Sequence, residues 1–273
     1  MKRIFLQVTV LFTALALFAG LANATPFTYD TDNQGWQQSY IGRPSGSTYD
    51  TLYPRQAADW TDTEGNPAGS IFQTADGINQ RAYWLGYIED NSLGDLTGMR
   101  LQTDIRSTNN WQTIANGASG DDGNVYARWV IANDVSTGTE TSYNMFISNR
   151  AASIDVNQLN GWETHSVALE ESNFLRWPNY DADTQTFADL LSDYDSIGLY
   201  LFSGTDTISN IDGGTGTWDN NRLLHYGAYN DSGTATWGLD NFQAAPVPEP
   251  ATILLLGIGL LGLVGYSRKR KKS

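Results

Sequence analysis

Closely spaced carboxylates, and tryptophans set among amides, are the residues of this sequence that could do chemistry. Asp30-Thr31-Asp32-Asn33-Gln34-Gly35 opens like a calcium loop. Calcium takes six to eight hard oxygens from carboxylates, carbonyls and water. The spacing departs from an EF-hand, because Ile41 stands where the bidentate glutamate would be. The competing reading is an Asx-type turn. Trp60, Trp111 and Trp218 lie in polar, glycine-rich stretches, with Asn109, Asn110, Asp219 and Asn220 beside them. Aromatic faces stack on the apolar faces of sugars, and amides and carboxylates bond the hydroxyls. These seven residues are the candidate glycan contacts. The competing reading is that most of the rings are core, since aromatics suit strands and bury large areas.

Acid–base and nucleophilic chemistry find little support. His165 and His225 both fall in predicted strands, where an ordinary strand histidine is the simpler reading. H-E-x-x-H, G-x-S-x-G and phosphate-loop motifs are absent. A glycosidase needs two carboxylates about 5–10 Å apart. Glu163 or Glu170 with Glu171 could be paired, but nothing favours them over the other acids. The E-x-D-x-x-E strand motif of laminarinase-type jelly rolls is missing. The expected protein is not an enzyme.

Composition narrows the partners. Residues 25–246 hold nine arginines, no lysine and 29 acids, a net charge of −20. Such a surface supplies no phosphate-neutralising patch, which excludes nucleic acid and disfavours anionic lipid. It favours solubility and cation association. The chain has no cysteine, so thiol catalysis, cysteine zinc sites and disulfides are excluded. All nine tryptophans fall between residues 36 and 237.

These residues must be positioned by strands. Met99 to Arg106, Val125 to Ile131, Thr141 to Ser148, Trp162 to Leu169, Ile197 to Phe202, Arg222 to Tyr229 and Thr234 to Phe242 read as strands. Gly65-Asn66-Pro67, Gly117 to Gly123 and Asp212-Gly213-Gly214 punctuate them. One helix is expected over Thr184 to Tyr194, with Phe187, Leu190, Leu191 and Tyr194 on one face and Asp183 or Thr184 as N-cap. The fold class is all-β, an antiparallel jelly-roll β-sandwich with one short helix. It forms one domain over residues 25–243, with Ala244-Ala245-Pro246 as a linker.

Tyr29-Asp30-x-Asp32-x-x-Gly35-Trp36, Gly65 to Ser70, Tyr83-Trp84-Leu85-Gly86, the segment Thr186 to Leu191 and Trp237 to Phe242 follow a familiar order. They resemble the laminin IV (laminin B) module and, more broadly, galactose-binding-like jelly rolls. The resemblance implies a structural calcium between the opening segment and the final strand, with Asp30, Asp32 and Asp240 as its ligands.

Both ends of the chain carry addresses. Lys2 and Arg3 precede an apolar run and Ala22-Asn23-Ala24, an A-x-A cleavage site, so residues 1–24 read as a signal peptide. At the other end stands Val247-Pro248-Glu249-Pro250, then Ala251 to Tyr266, then a basic cluster over residues 268–272. The apolar run is 16 residues long. At ~1.5 Å per residue it spans roughly 24 Å, short for a full crossing. The basic end stays on the cytoplasmic side. This tail resembles the bacterial PEP-CTERM signal read by exosortase. The resemblance implies signal peptidase and exosortase as export partners, transient insertion in the inner membrane, and release to the cell surface or outside.

The expected function is an exported, non-enzymatic protein of the surface or matrix that binds exopolysaccharide. The alternatives are a surface scaffold without sugar binding and a carbohydrate-active hydrolase. Ice binding ranks last, because no regular Thr-x-Thr array is present.

Overall fold

The computed structural model describes residues 27–42, 51–52, 56–65, 68–75, 80–88, 92–108, 111–113, 123–134, 143–177, 185–206, 228–229 and 235–247. Residues 1–24, Pro248 to Ser273, His225 and the loop residues Asn109, Asn110, Trp218, Asp219 and Asn220 lie outside them. Among the described residues no helix is long and apolar enough to cross a membrane.

In chain order the strands are β1 (Gln37–Gly42), β2 (Thr51–Leu52), β3 (Gln56–Ala57), β4 (Asp59–Thr61), β5 (Ser70–Ala75), β6 (Gln80–Ile88), β7 (Met99–Ser107) and β8 (Gln112–Thr113). They continue with β9 (Val125–Asp134), β10 (Tyr143–Ser148), β11 (Ile154–Asp155), β12 (Glu163–Ala168) and β13 (Phe174–Arg176). Helix α1 (Phe187–Ser192) is followed by β14 (Ser196–Ser203), β15 (Ala228–Tyr229) and β16 (Ala235–Pro246). A nine-stranded sheet runs β13-β10-β9-β14-β6-β1-β2, with β11 on β9 and β3 on β1. A five-stranded sheet runs β12-β7-β16-β5-β4, and β8 pairs with β15. Every pairing among the described residues is antiparallel.

The two larger sheets face each other as a jelly-roll-type β-sandwich, as the alternating segments require. Val125, Ala127, Trp129 and Ile131 of β9 join Ile197, Leu199 and Leu201 of β14 in one core with Leu101 and Ile105 of β7 and Leu239 of β16. Period-2 alternation sends these side chains inward together. Aromatic contacts cross the gap. Trp36 meets Phe242 edge-on with ring centres 4.7 Å apart, and Trp129 meets Phe242 at 6.0 Å. The opening segment closes one end, where Phe27 donates its backbone N–H to the Phe242 carbonyl at 2.8 Å. Asn241, with a φ of 51°, forms the bulge that lets β16 accept this contact.

Two local expectations are corrected. The helix is shorter than expected, and its N-cap is Thr186 rather than Asp183 or Thr184, which lie outside the described residues. Thr186 Oγ1 accepts from Asp189 N at 3.1 Å, and Asp189 returns a carboxylate to Thr186 N at 3.1 Å. Phe187 then packs between Phe146 and Phe174, with ring centres 5.1 and 5.0 Å away. Second, Ala244 to Pro246 form no linker. They continue β16 against Leu101, Arg100 and Met99. Proline is tolerated there because it ends the strand.

Candidate functional site

The outward face of the five-stranded sheet holds a shallow groove, and its ladder can be followed across the strands. Phe72 of β5 pairs with Gly238 of β16. Gly238 pairs with Arg106 of β7. Trp162 directly precedes Glu163, which pairs with Ile105, so Trp162 continues the row beside Arg106. Phe72 and Trp162 are both half-buried. Between them Gly238 keeps the floor low. A Cβ there would sit 2.7 Å from the Ile71 carbonyl oxygen and 3.3 Å from Phe72 Cβ. Glu64, Ser70, Thr108, Thr236 and Trp237 complete the lining.

A second row runs parallel, two residues further along each strand. The Thr74 and Thr236 hydroxyls lie 3.3 Å apart. Thr108 Oγ1 donates to the Thr236 carbonyl at 3.1 Å and accepts from Thr236 N at 2.8 Å. Arg106 reaches Glu64 at 3.0 Å, so the ionised groups of the groove lining cancel. The site therefore offers flat apolar surface, hydroxyls and one ion pair.

The same face carries two carboxylates, two residues from Arg106 and Gly238 along β7 and β16. Asp104 and Asp240 are register partners on β7 and β16, and both are buried. Asp104 accepts from the Thr164 hydroxyl at 2.5 Å through one oxygen and from Asn241 Nδ2 at 2.8 Å through the other. Asp240 Oδ1 accepts from Asn241 N at 2.7 Å. Burial, and the charge of Asp240, push the Tyr29 phenol well above its ordinary value.

The sequence-predicted residues separate. Trp60 is half-buried and spends its indole N–H on the Tyr29 carbonyl at 2.5 Å. Trp111 corrects the expectation of an exposed platform, for it is 2 % exposed. Its ring packs on Tyr83 with centres 5.1 Å apart, its indole N–H donates to Ser107 at 2.8 Å, and Asn157 bonds its backbone on both sides. Asn109, Asn110, Trp218, Asp219 and Asn220 lie outside the described residues. Asp30 accepts from the Thr28 hydroxyl at 2.8 Å, and Asp32 accepts from Gln34 N at 2.8 Å in the Asx-type turn. Among the described residues no three acidic or histidine side chains gather as a metal site. Glu163 opens β12, which ends at Ala168, and Glu171 opens a short 3-10 turn beyond it. The extended run between them, at ~3.3 Å per residue, holds Glu163 more than about 20 Å from Glu171, too far for a glycosidase pair. Phe72 and Trp162 were not singled out by sequence. Trp162 at the start of a predicted strand, out of phase with Val167, was the available signal.

The outward face of the nine-stranded sheet is also aromatic, and most of its rings are buried, with Tyr200 half-buried. Trp84 is 5 % exposed and lies over Gly86, where a Cβ would meet its ring at 2.1 Å. It neighbours its register partner Tyr200, with ring centres 6.1 Å apart. Arg128, opposite Tyr200, is fully buried. Its guanidinium donates to the Ser148, Ser203 and Thr205 carbonyls at 3.1, 2.7 and 2.9 Å, and to Asp206 at 3.0 Å. Burial lowers its pKa, and Asp206 opposes that shift. Arg128 thus ties the end of β14 to the turn after β10.

Residues 246–271 match the PEP-CTERM protein-sorting motif. The tail marks the chain as an exported protein sorted through its C-terminus. No curated protein matches the chain. Among solved structures, the family 11 carbohydrate-binding module of a cellulosomal cellulase from Clostridium thermocellum superposes with a TM-score of 0.42 at 13% identity, covering 84% of this chain and 96% of that one. An exo-beta-agarase superposes at 0.38 and 12% identity, over 82% of this chain and 26% of that one.

Proposed function

We propose that this protein is exported, processed by exosortase and held at the surface or in the extracellular matrix, where its sandwich binds exopolysaccharide without catalysis. The single observation behind the sugar reading is the groove on the five-stranded sheet. Two half-buried rings flank a glycine floor, beside a row of threonine hydroxyls and a neutralised Arg106–Glu64 pair. Rings of this kind supply large contact area at low entropy cost, and hydroxyls bond in either direction. The sorting tail supports the export half of the reading.

Native gels cast with a panel of polysaccharides test it. The expected result is retardation of the wild type and loss of retardation in Trp162→Ala, with an unchanged circular dichroism spectrum. Absence of retardation on every glycan would replace the reading with that of a surface scaffold.

A further inference from the structure

The groove also constrains the kind of glycan. We infer that it holds an internal stretch of an extended, uncharged polysaccharide, at least four sugars long and laid across the strands. This inference rests on the sugar-binding reading above.

Length follows from register. From Phe72 the row passes Gly238 and Arg106 to reach Trp162, three steps between neighbouring strands. At ~4.8 Å per step the two rings stand roughly 14 Å apart. An extended pyranose chain advances by close to one strand spacing per sugar. A sugar over Phe72 therefore places the third sugar beyond it over Trp162, and a disaccharide reaches only one ring.

Direction follows from the parallel row of threonines. Thr74 and Thr236 stand two residues along their strands from Phe72 and Gly238, and Thr108 two along from Arg106, or about 7 Å at ~3.4 Å per residue. That gap is about the width of a sugar ring. A chain lying across the strands meets the aromatic row with its faces and the hydroxyl row with its edge. A chain lying along the strands would meet one ring at most. The groove is shallow, which suits the middle of a chain rather than its end.

Charge follows from the acids. Within the groove Arg106 and Glu64 neutralise each other at 3.0 Å. Around it the region from residue 25 to 246 carries −20. That field repels a polyuronate before contact.

The test is calorimetric titration of the full-length chain in a detergent without a sugar head group. The ligands are β-glucan and β-mannan oligosaccharides of two to six sugars, with polygalacturonate fragments of matched length as the acidic probe. Tetrasaccharides should bind at least about tenfold tighter than disaccharides. Phe72→Ala and Trp162→Ala should each erase that gain. Equal affinity for two and six sugars would overturn the length and direction, as would tighter binding of polygalacturonate for the charge. Either outcome leaves sugar binding standing. Silence with every oligosaccharide, together with no retardation on any polysaccharide gel, removes sugar binding and this inference with it.

Discussion

The outward face of the nine-stranded sheet and that of the five-stranded sheet both carry aromatic rings beside an arginine. On the first, Trp84, Tyr126, Trp177 and Phe202 are buried, Tyr200 is half-buried, and Arg128 spends its donors on three backbone carbonyls and Asp206. On the second, Phe72 and Trp162 remain half-buried, and Arg106 pairs with Glu64 near the surface. The same residue types therefore do opposite work. A buried arginine whose hydrogen bonds run to the main chain fixes the chain's path. An arginine whose charge is matched at the surface leaves a groove free of net charge. Aromatic content says how much ring surface a protein has, and only the neighbouring strands say which rings meet solvent.

Substitutions can break this contrast. The largest effect is expected from Arg128→Ala, which strands the Ser148, Ser203 and Thr205 carbonyls and Asp206. Loss of one partner of a buried charged network should cost about 3 kcal/mol or more, read by urea unfolding. Trp84→Ala belongs to the same class and should cost about 3 kcal/mol by leaving a cavity over Gly86. If either variant kept wild-type stability and lost glycan retention, the nine-stranded sheet would carry the binding face.

Gly238→Val should come next. Its Cβ meets backbone at 2.7 Å, so the strands must shift, at a cost of about 2 kcal/mol. It should also remove glycan retention by filling the groove floor. Trp162→Ala should leave the melting temperature nearly unchanged and weaken retention by about tenfold, roughly 1.4 kcal/mol. A matching loss of stability would make Trp162 a core residue and dissolve the contrast.

A smaller effect concerns Tyr29. Its folded pKa is raised, so the native state keeps a proton that the unfolded chain releases above pH 10.0. Stability from this group is intact below that pH and falls as pH rises through it. Its hydroxyl is buried and has no hydrogen-bond partner among the described residues. Tyr29→Phe should therefore leave neutral-pH stability intact and flatten the alkaline loss, measured by urea midpoints from pH 8 to 11. Tyr194, shifted the same way, leaves a residual slope. Smallest of all, Asp32→Ala should cost about 1 kcal/mol through the lost turn bond. Melting with calcium and with chelator checks the ion at the same residues. An unchanged midpoint fits the hydrogen bonds of Asp30 and Asp32, whereas a calcium-dependent rise would place the ion with them.

Much of the framework was legible. β7, β9, β12, β14 and β16 follow alternating or apolar runs that name them as strands, because side chains alternate across a sheet with period 2. The apolar i, i+3, i+4 face of Phe187, Leu190 and Leu191 gave the helix. The end of β16 was not legible. Ala244-Ala245-Pro246 reads as a linker by composition, yet pairing with residues 99–101 extends the strand through it. Trp111 was not legible either, since polar neighbours in sequence say nothing of Tyr83 and Ser107 folding against it. The Phe72–Trp162 groove joins residues 90 positions apart through two intervening strands, and no local pattern encodes that.

By itself the sequence determined the address at the C-terminus, the acidic and lysine-free surface, the absence of cysteine chemistry and the period of the strands. These are properties of composition and short-range order, which travel with the chain whatever it packs against. The tertiary structure alone decided which tryptophans are core, that Asp104 and Asp240 lie opposite each other, and that Gly238 opens a floor between two rings. Exposure and juxtaposition are set by long-range pairing between sheets, and that pairing exists only once the sandwich has closed.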